Sequence, residues 1–212
     1  MKPVCLTDRL IAQNAYLLAD KGEAVVIDPG FNGESVLEIL TQKNLKLAAV
    51  LLTHAHYDHM RDLRLLQKER EFPLYVHEAD VPNLWNDEMN GSGYFHSSFA
   101  LKKTQKVVPF RDGEELRFGE LSLKVLHTPG HTPGSTCFLM GKTLFSGDTL
   151  FSGDVGRTDL PGGSPEKMRQ SVEKLFTSLG NEVLVCPGHE EATTIGTERK
   201  MNCSVPDRLR RG

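Results

Sequence analysis

The chain has 212 residues, 39% of them hydrophobic and 25% charged, and a net charge of −3 with histidines neutral. That is enough chain for one well-buried core, so a single globular domain over residues 1–212 is expected and intrinsic disorder is excluded. The charge balance excludes a concentrated basic surface for nucleic acid, and the short basic end at 208–211 reads as a solvated tail.

No apolar run approaches the roughly 20 residues that span a bilayer, and the first nine residues lack the apolar stretch of a secretion signal. A cytoplasmic location is the expectation, with a small-molecule substrate, no membrane and no nucleic acid as partners. Oligomeric state is open. Of the four cysteines, Cys137 and Cys186 lie in apolar strand-like runs and read as small core residues; no CxxC pair is present.

In chain order, residues 11–18 are strand-like. Residues 24–27 (Ala-Val-Val-Ile) form a buried strand stopped by the turn signature Asp28-Pro29-Gly30. Residues 34–43 have helical spacing, with Val36, Leu37 and Leu40 on one side. Residues 47–53 form a buried strand that runs into His54. A helix is expected over 60–69 and a short strand over 73–77. Residues 86–104 lack periodicity; they are either a binding loop or lid, or a tolerated surface insertion.

The second half is richer in strands. Residues 116–118 and 121–126 flank a turn at Gly119-Glu120, and residues 136–140 and 143–145 flank another at Gly141-Lys142. Ser164 is suited to cap a helix opened by Pro165, whose apolar stripe is Met168, Val172, Leu175 and Phe176. Residues 183–186 form a final buried strand ending at Pro187-Gly188-His189. Helices follow strands in both halves, which marks an α/β protein. Two packed sheets with helices outside and a single doubly wound sheet both satisfy the pattern.

Chemistry concentrates at strand ends. In Thr53-His54-Ala55-His56-Tyr57-Asp58-His59, residues two apart in an extended segment point the same way, so His54 and His56 can grip one ion. Asp58 and His59 fall where the chain turns into a helix and offer an oxygen and a nitrogen to a neighbouring point. His131 sits in a turn rich in proline and glycine, Asp148 follows Ser146-Gly147, and His189 follows Pro187-Gly188. Ligands at the C-terminal ends of buried strands converge on one edge. Imidazole and carboxylate suit zinc, iron or manganese.

The series HxHxDH, TPGHT, GDT and PGHE, in this order between Asp28 and His189, resembles the metallo-β-lactamase-fold hydrolases. The resemblance implies an αββα four-layer sandwich with its metal site at one edge. By position it implies that His54, His56 and His131 bind one metal, that Asp58, His59 and His189 bind a second, and that Asp148 bridges them. Two divalent ions follow, zinc first, with iron and manganese as alternatives. Asp28 matches the family's aspartate that supports the metal loop. Residues 150–153, 156–159 and 192–196 are similar to glyoxalase II (hydroxyacylglutathione hydrolase) and its short bacterial relatives. Those enzymes in full length carry a helical C-terminal domain for glutathione, for which this chain has no room after His189.

The implied reaction is hydrolysis of a thioester or related acyl compound by hydroxide held between two metals. Asp148 sets the metal spacing, and Asp58 orients the hydroxide in addition to binding metal. Arg157 is a candidate for a substrate carboxylate, with internal pairing to Asp159 or Asp154 as the alternative. Tyr57 either lines the pocket or packs in the core. His127 is a candidate support for the His131 turn, while His77 and His96 read as ordinary. The alternative activity is a persulfide dioxygenase with one iron held by two histidines and an aspartate; His59 and His189 favour two metals. A nuclease lacks its basic stripe, and a flavodiiron-type module has glutamate where this chain has His56. A β-lactamase is disfavoured by the missing export signal and by Asp148 in the bridging position.

Overall fold

A computed structural model describes residues 3–99, 101 and 104–210. Arg211 of the basic end and residues 100, 102 and 103 of the 86–104 stretch lie outside the described residues. The first sheet holds β1 (Val4–Thr7), β2 (Asn14–Asp20), β3 (Glu23–Ile27), β4 (Lys46–Leu51), β5 (Leu74–His77) and β6 (Val107–Phe110), adjacent in space in chain order. The second holds β7 (Glu115–Phe118), β8 (Leu121–His127), β9 (Thr136–Met140), β10 (Thr143–Gly147), β11 (Leu184–Pro187) and β12 (Thr193–Thr194).

Hairpins make the first three strands and β7 to β10 antiparallel, whereas β3 to β6, and β10 with β11, run parallel. Parallel neighbours need a crossover. α-Helices supply three of the four: α1 (Gly33–Gln42) between β3 and β4, α2 (Tyr57–Met60) and α3 (Leu63–Glu69) between β4 and β5, and α4 (Pro165–Ser178) between β10 and β11. Ser164 caps α4 as the sequence predicts, its hydroxyl accepting from the Lys167 N–H at 3.3 Å.

Three apolar layers fill the molecule. Val36, Leu40, Leu63 and Leu66 of the helices pack with Leu17, Val26 and Val50 outside the first sheet. Leu18, Val25, Ile27, Leu51, Leu123, Phe138 and Phe145 fill the space between the sheets. Met168, Val172, Leu175 and Phe176 pack with Leu144 and Val185 outside the second. The order helix, sheet, sheet, helix is the αββα sandwich. Strands buried on both faces read as unbroken apolar runs, which is why periodicity left the single sheet open.

Some elements differ from the sequence reading. The helix over 60–69 is broken at Asp62, whose carboxylate accepts the Gly33 N–H at 2.9 Å and ties the two crossovers together. The edge strands β1 and β6, the 3₁₀ segment Glu78–Trp85, β12, α5 (Ile195–Met201) and α6 (Asp207–Arg210) have no counterpart in it. The basic end is not a solvated tail through Arg210. Arg208 pairs with Glu173 of α4, and Arg210 donates to the carbonyls of Val205 and Cys203.

Candidate metal centre

The site forms where β3, β4, β10 and β11 end along one edge of the sandwich. Asp28 leaves β3 with φ +48°, a left-handed conformation that costs an aspartate free energy. It turns the carboxylate inward, where it accepts from the Thr53 N–H (2.8 Å), the Thr53 hydroxyl (2.6 Å) and His59 Nδ1 (3.0 Å). Asp28 therefore supports the ligand loop as expected. At the far end, Gly188 passes so close to the site that a Cβ there would lie 2.3 Å from Asp148 Oδ1 and 2.7 Å from the His59 ring.

Hydrogen bonds behind the rings fix which imidazole nitrogen carries a proton. Nδ1 of His59 donates to Asp28, Nδ1 of His131 to the Arg157 carbonyl (2.8 Å), and Nδ1 of His189 to the Ile11 carbonyl (3.0 Å). Thr53 gives its hydroxyl proton to Asp28, so the same oxygen accepts from Nδ1 of His54 at 3.1 Å. In the neutral form of each of these four rings the lone pair therefore falls on Nε2, and all four Nε2 atoms point to one place. Nε2 of His59 and His189 stand 3.2 Å apart, and His56 Nδ1 stands 2.8 Å from His131 Nε2.

Asp148 spans the group, with one oxygen 3.3 Å from His59 Nε2 and the other 3.4 Å from His131 Nε2 and 3.7 Å from His189 Nε2. Asp58 lies 3.3 Å from His189 Nε2. Ligand atoms fall into three overlapping triads, His54–His56–His131, His54–His59–Asp148 and Asp58–His59–His189, each within 4.8 Å. All seven residues singled out from the sequence are thus brought together.

This donor set fits metal. Facing lone pairs repel unless a cation lies between them, and buried His54 Nε2 and Asp148 Oδ1 make no hydrogen bond. A proton is a poor substitute at His54 and His56: burial pushes His54 well below its usual range and His56 to about 3. At His59 and His189 burial is outweighed. Asp148, Asp28 and Asp58 hold His59 well above its usual range, and Asp58 with Asp148 raise His189. Burial likewise opposes ionisation of Asp148 and Asp58, yet His59 foremost pulls both carboxyls down. Concentrated negative potential beside unprotonated nitrogens is the electrostatic profile of a cation site.

A cleft of about 610 Å³ opens over the ligands. Its walls include Asn90, Gly91, Tyr94 and Phe95, so this part of the 86–104 stretch borders the site; Ile11, Phe151, Val155 and Leu160 complete the apolar lining. Arg157 stands at the rim, its guanidinium held by both oxygens of Asp159 at 2.7 and 2.8 Å. Internal pairing with Asp159 is therefore realised, while its carbonyl orients His131. Tyr57 does not line the cleft. It is buried against Phe31, Phe95 and Phe99, because the helical turn after His56 points it away from the ligands. His127 touches no ligand; its Nε2 bonds the Pro133 carbonyl (2.9 Å) and its ring stacks on His77 at 3.9 Å.

Asp80 is the site residue that the sequence reading misses. Fully buried, it accepts from the Ala55 N–H (3.0 Å) between His54 and His56, and from the Thr132 hydroxyl (2.8 Å) and Gly134 N–H (2.7 Å) after His131. It clamps two ligand loops from opposite sheets. Nothing in its local sequence, a 3₁₀ turn without a motif, signals that role.

Residues 8–189 match the family model of the metallo-beta-lactamase superfamily. The chain is 35% identical to the probable metallo-hydrolase YqgX of Bacillus subtilis, over 91% of this chain and 92% of the other. It is 32% identical to the hydroxyacylglutathione hydrolase GloC of Haemophilus influenzae, over 90% and 91%. Among solved structures, the BLEG-1 B3 metallo-beta-lactamase superposes with TM-score 0.88 at 33% identity, covering 95% of this chain and 98% of the other. A di-iron-bound form of TTHA1623 gives 0.82 at 36%, covering 96% and 99%. ETHE1 from Myxococcus xanthus gives 0.78 at 30%, covering 96% and 84%.

Proposed function

The chain belongs to the metallo-beta-lactamase superfamily, and from that premise we propose that it hydrolyses acyl thioesters with two divalent metal ions. His54, His56 and His131 would hold one ion, Asp58, His59 and His189 the other, and Asp148 both. One observation carries the reading: His59 and His189, each with Nδ1 occupied from behind, aim their second nitrogens at the carboxylate that also faces His131. A site for one ion has no use for that second pair. Similarity to a hydroxyacylglutathione hydrolase supports a thioester as substrate.

When bound, the ions would supply a water acidified from its usual range to near neutrality and a positive field for the developing oxyanion. The protein supplies position. Asp148 fixes the separation of the two sets. Asp58 lines the cleft and is held ionised beside His59 and His189, so it accepts a hydrogen bond from the attacking water and orients it toward the acyl carbon. The buried imidazoles exclude solvent from beneath.

The test is metal content measured beside turnover on thioesters, lactones, a β-lactam and glutathione persulfide. Two metal equivalents per chain and thioester hydrolysis are expected. His189→Ala should keep close to one equivalent and lose roughly 100-fold or more in kcat, as expected when a metal's contribution to transition-state charge is removed. One iron per chain with rapid oxygen uptake on glutathione persulfide would instead make the protein a persulfide dioxygenase.

A further inference from the structure

We infer that the cleft takes an uncharged, apolar thioester and selects against an anionic thiol carrier such as glutathione. The inference rests on the hydrolase reading only for its turnover arm. Its first support is charge. The acidic residues lining the cleft are Asp58, Asp148, Asp154 and Glu190, and the cation among its described lining residues is Arg157. Two divalent ions would do no more than cancel those four carboxylates. Arg157 adds nothing to attract an anion, because Asp159 grips it through both oxygens and the pair presents no net charge. A tripeptide carrier with two carboxylates and one ammonium would meet no uncompensated positive group.

The second support is the wall. Tyr94 is 68% exposed and Phe95 41%, an arrangement that leaves large aromatic surface in water unless something covers it. Phe95 is held in place: its ring lies 5.2 Å from Tyr57 and 6.1 Å from Phe31, and Phe31 in turn carries the Arg61 guanidinium at 4.2 Å. Phe151 faces it from the loop after Asp148, with its ring 6.2 Å from His189. A substrate's apolar chain fits between these walls beside the ligands. The cleft's 610 Å³ lies within the range of about 300–1,000 Å³ typical of small-molecule sites.

The experiment uses the metal-loaded protein and matched pairs. S-lactoylglutathione and S-lactoyl-N-acetylcysteamine share an acyl group and differ in carrier charge; kcat/KM for the neutral ester should exceed that for the anionic one. On the neutral carrier, hexanoyl should exceed acetyl at least tenfold, since its four extra carbons would leave water for the apolar wall, and Phe95→Ala should remove most of that gain. Calorimetric binding of S-hexyl-N-acetylcysteamine, compared with S-hexylglutathione, gives a readout independent of turnover, and the neutral compound should bind about tenfold more tightly. A tenfold preference for the glutathione compound in either pair, or no gain from hexanoyl, would overturn the inference with thioester hydrolysis intact. Absence of turnover on every ester would remove the hydrolase reading, and the binding pair would still decide the inference.

Discussion

At the scale of single residues, the site is built from behind. Four histidines meet through Nε2 because each Nδ1 has a fixed acceptor, and those acceptors are the Asp28–Thr53 pair and two backbone carbonyls. Asp80 serves the same end through main chain. Each of its oxygens receives two donors, Ala55 N–H and the Thr132 hydroxyl on one, Gly134 N–H and the Asn83 amide on the other. Asn in its place must set an NH2 against one of these donor pairs, whichever way the amide turns. Asp80→Asn should therefore cost about 3 kcal/mol, the penalty of leaving buried donors unmet. It should also weaken metal binding roughly tenfold or more, as other supporting residues do when lost. Denaturant melts of the metal-free protein and competition with a metal indicator measure the two separately. An effect on stability alone would mean that Asp80 packs the loops without aligning His56 and His131.

At the scale of elements, β5 ends in His77, and that ring makes the junction to the next turn sensitive to acid. His77 Nδ1 accepts the Ala79 N–H at 3.2 Å, so it must be unprotonated, and its ring stacks on His127. Burial first, then His127, pushes His77 from its usual 6.5 to about 4, against the pull of Glu78 and Asp112. The folded state thus binds fewer protons than the unfolded one between these values. Its contribution to stability is complete above about pH 6.5 and is lost as pH falls toward 4. His77→Asn keeps an acceptor for Ala79 and does not titrate. The melting temperature of the metal-free variant should fall less steeply than wild type from pH 6.5 to 4, and parallel slopes would refute the assignment. Neither His77 nor Asp80 was legible in the sequence, since each works through contacts made by segments far apart in the chain. The ligands were legible because metal binding restricts residue type and strand ends restrict place. The aromatic wall was not, because Tyr94 and Phe95 sit on a stretch without periodicity. Periodicity did not divide the strands into two sheets, because they bury both faces; the ligand motifs did, through the αββα family that they resemble. Edge strands such as β1, with Val4-Cys5-Leu6-Thr7 largely exposed, lack the apolar signal altogether.

At the scale of the whole molecule, the candidate metal ligands come from both sheets. His54, His56, Asp58 and His59 follow β4 of the first; His131, Asp148 and His189 follow β8, β10 and β11 of the second. Few main-chain bonds cross at this edge, among them Thr136 N–H to the Thr53 carbonyl (2.9 Å) and Asn14 N–H to the Gly188 carbonyl (2.8 Å). Without cations the same edge holds imidazole nitrogens crowded face to face and the unbonded His54 Nε2 and Asp148 Oδ1. Binding to the folded state alone stabilises it by about 4 kcal/mol per site when free metal is a thousandfold above Kd. For a chain of this size each kcal/mol moves Tm by about 2–4 °C. Exhaustive chelation should therefore lower Tm by about 10 °C or more, and refilling with zinc should restore it. Asp148→Ala removes the residue common to both metal sets and leaves the β10 backbone in place. Its melt should scarcely respond to chelator, while its far-ultraviolet circular dichroism stays that of the wild type. If the wild-type Tm is unchanged once metal analysis shows the ions gone, the centre is not a link between the sheets and their packing alone holds the edge closed.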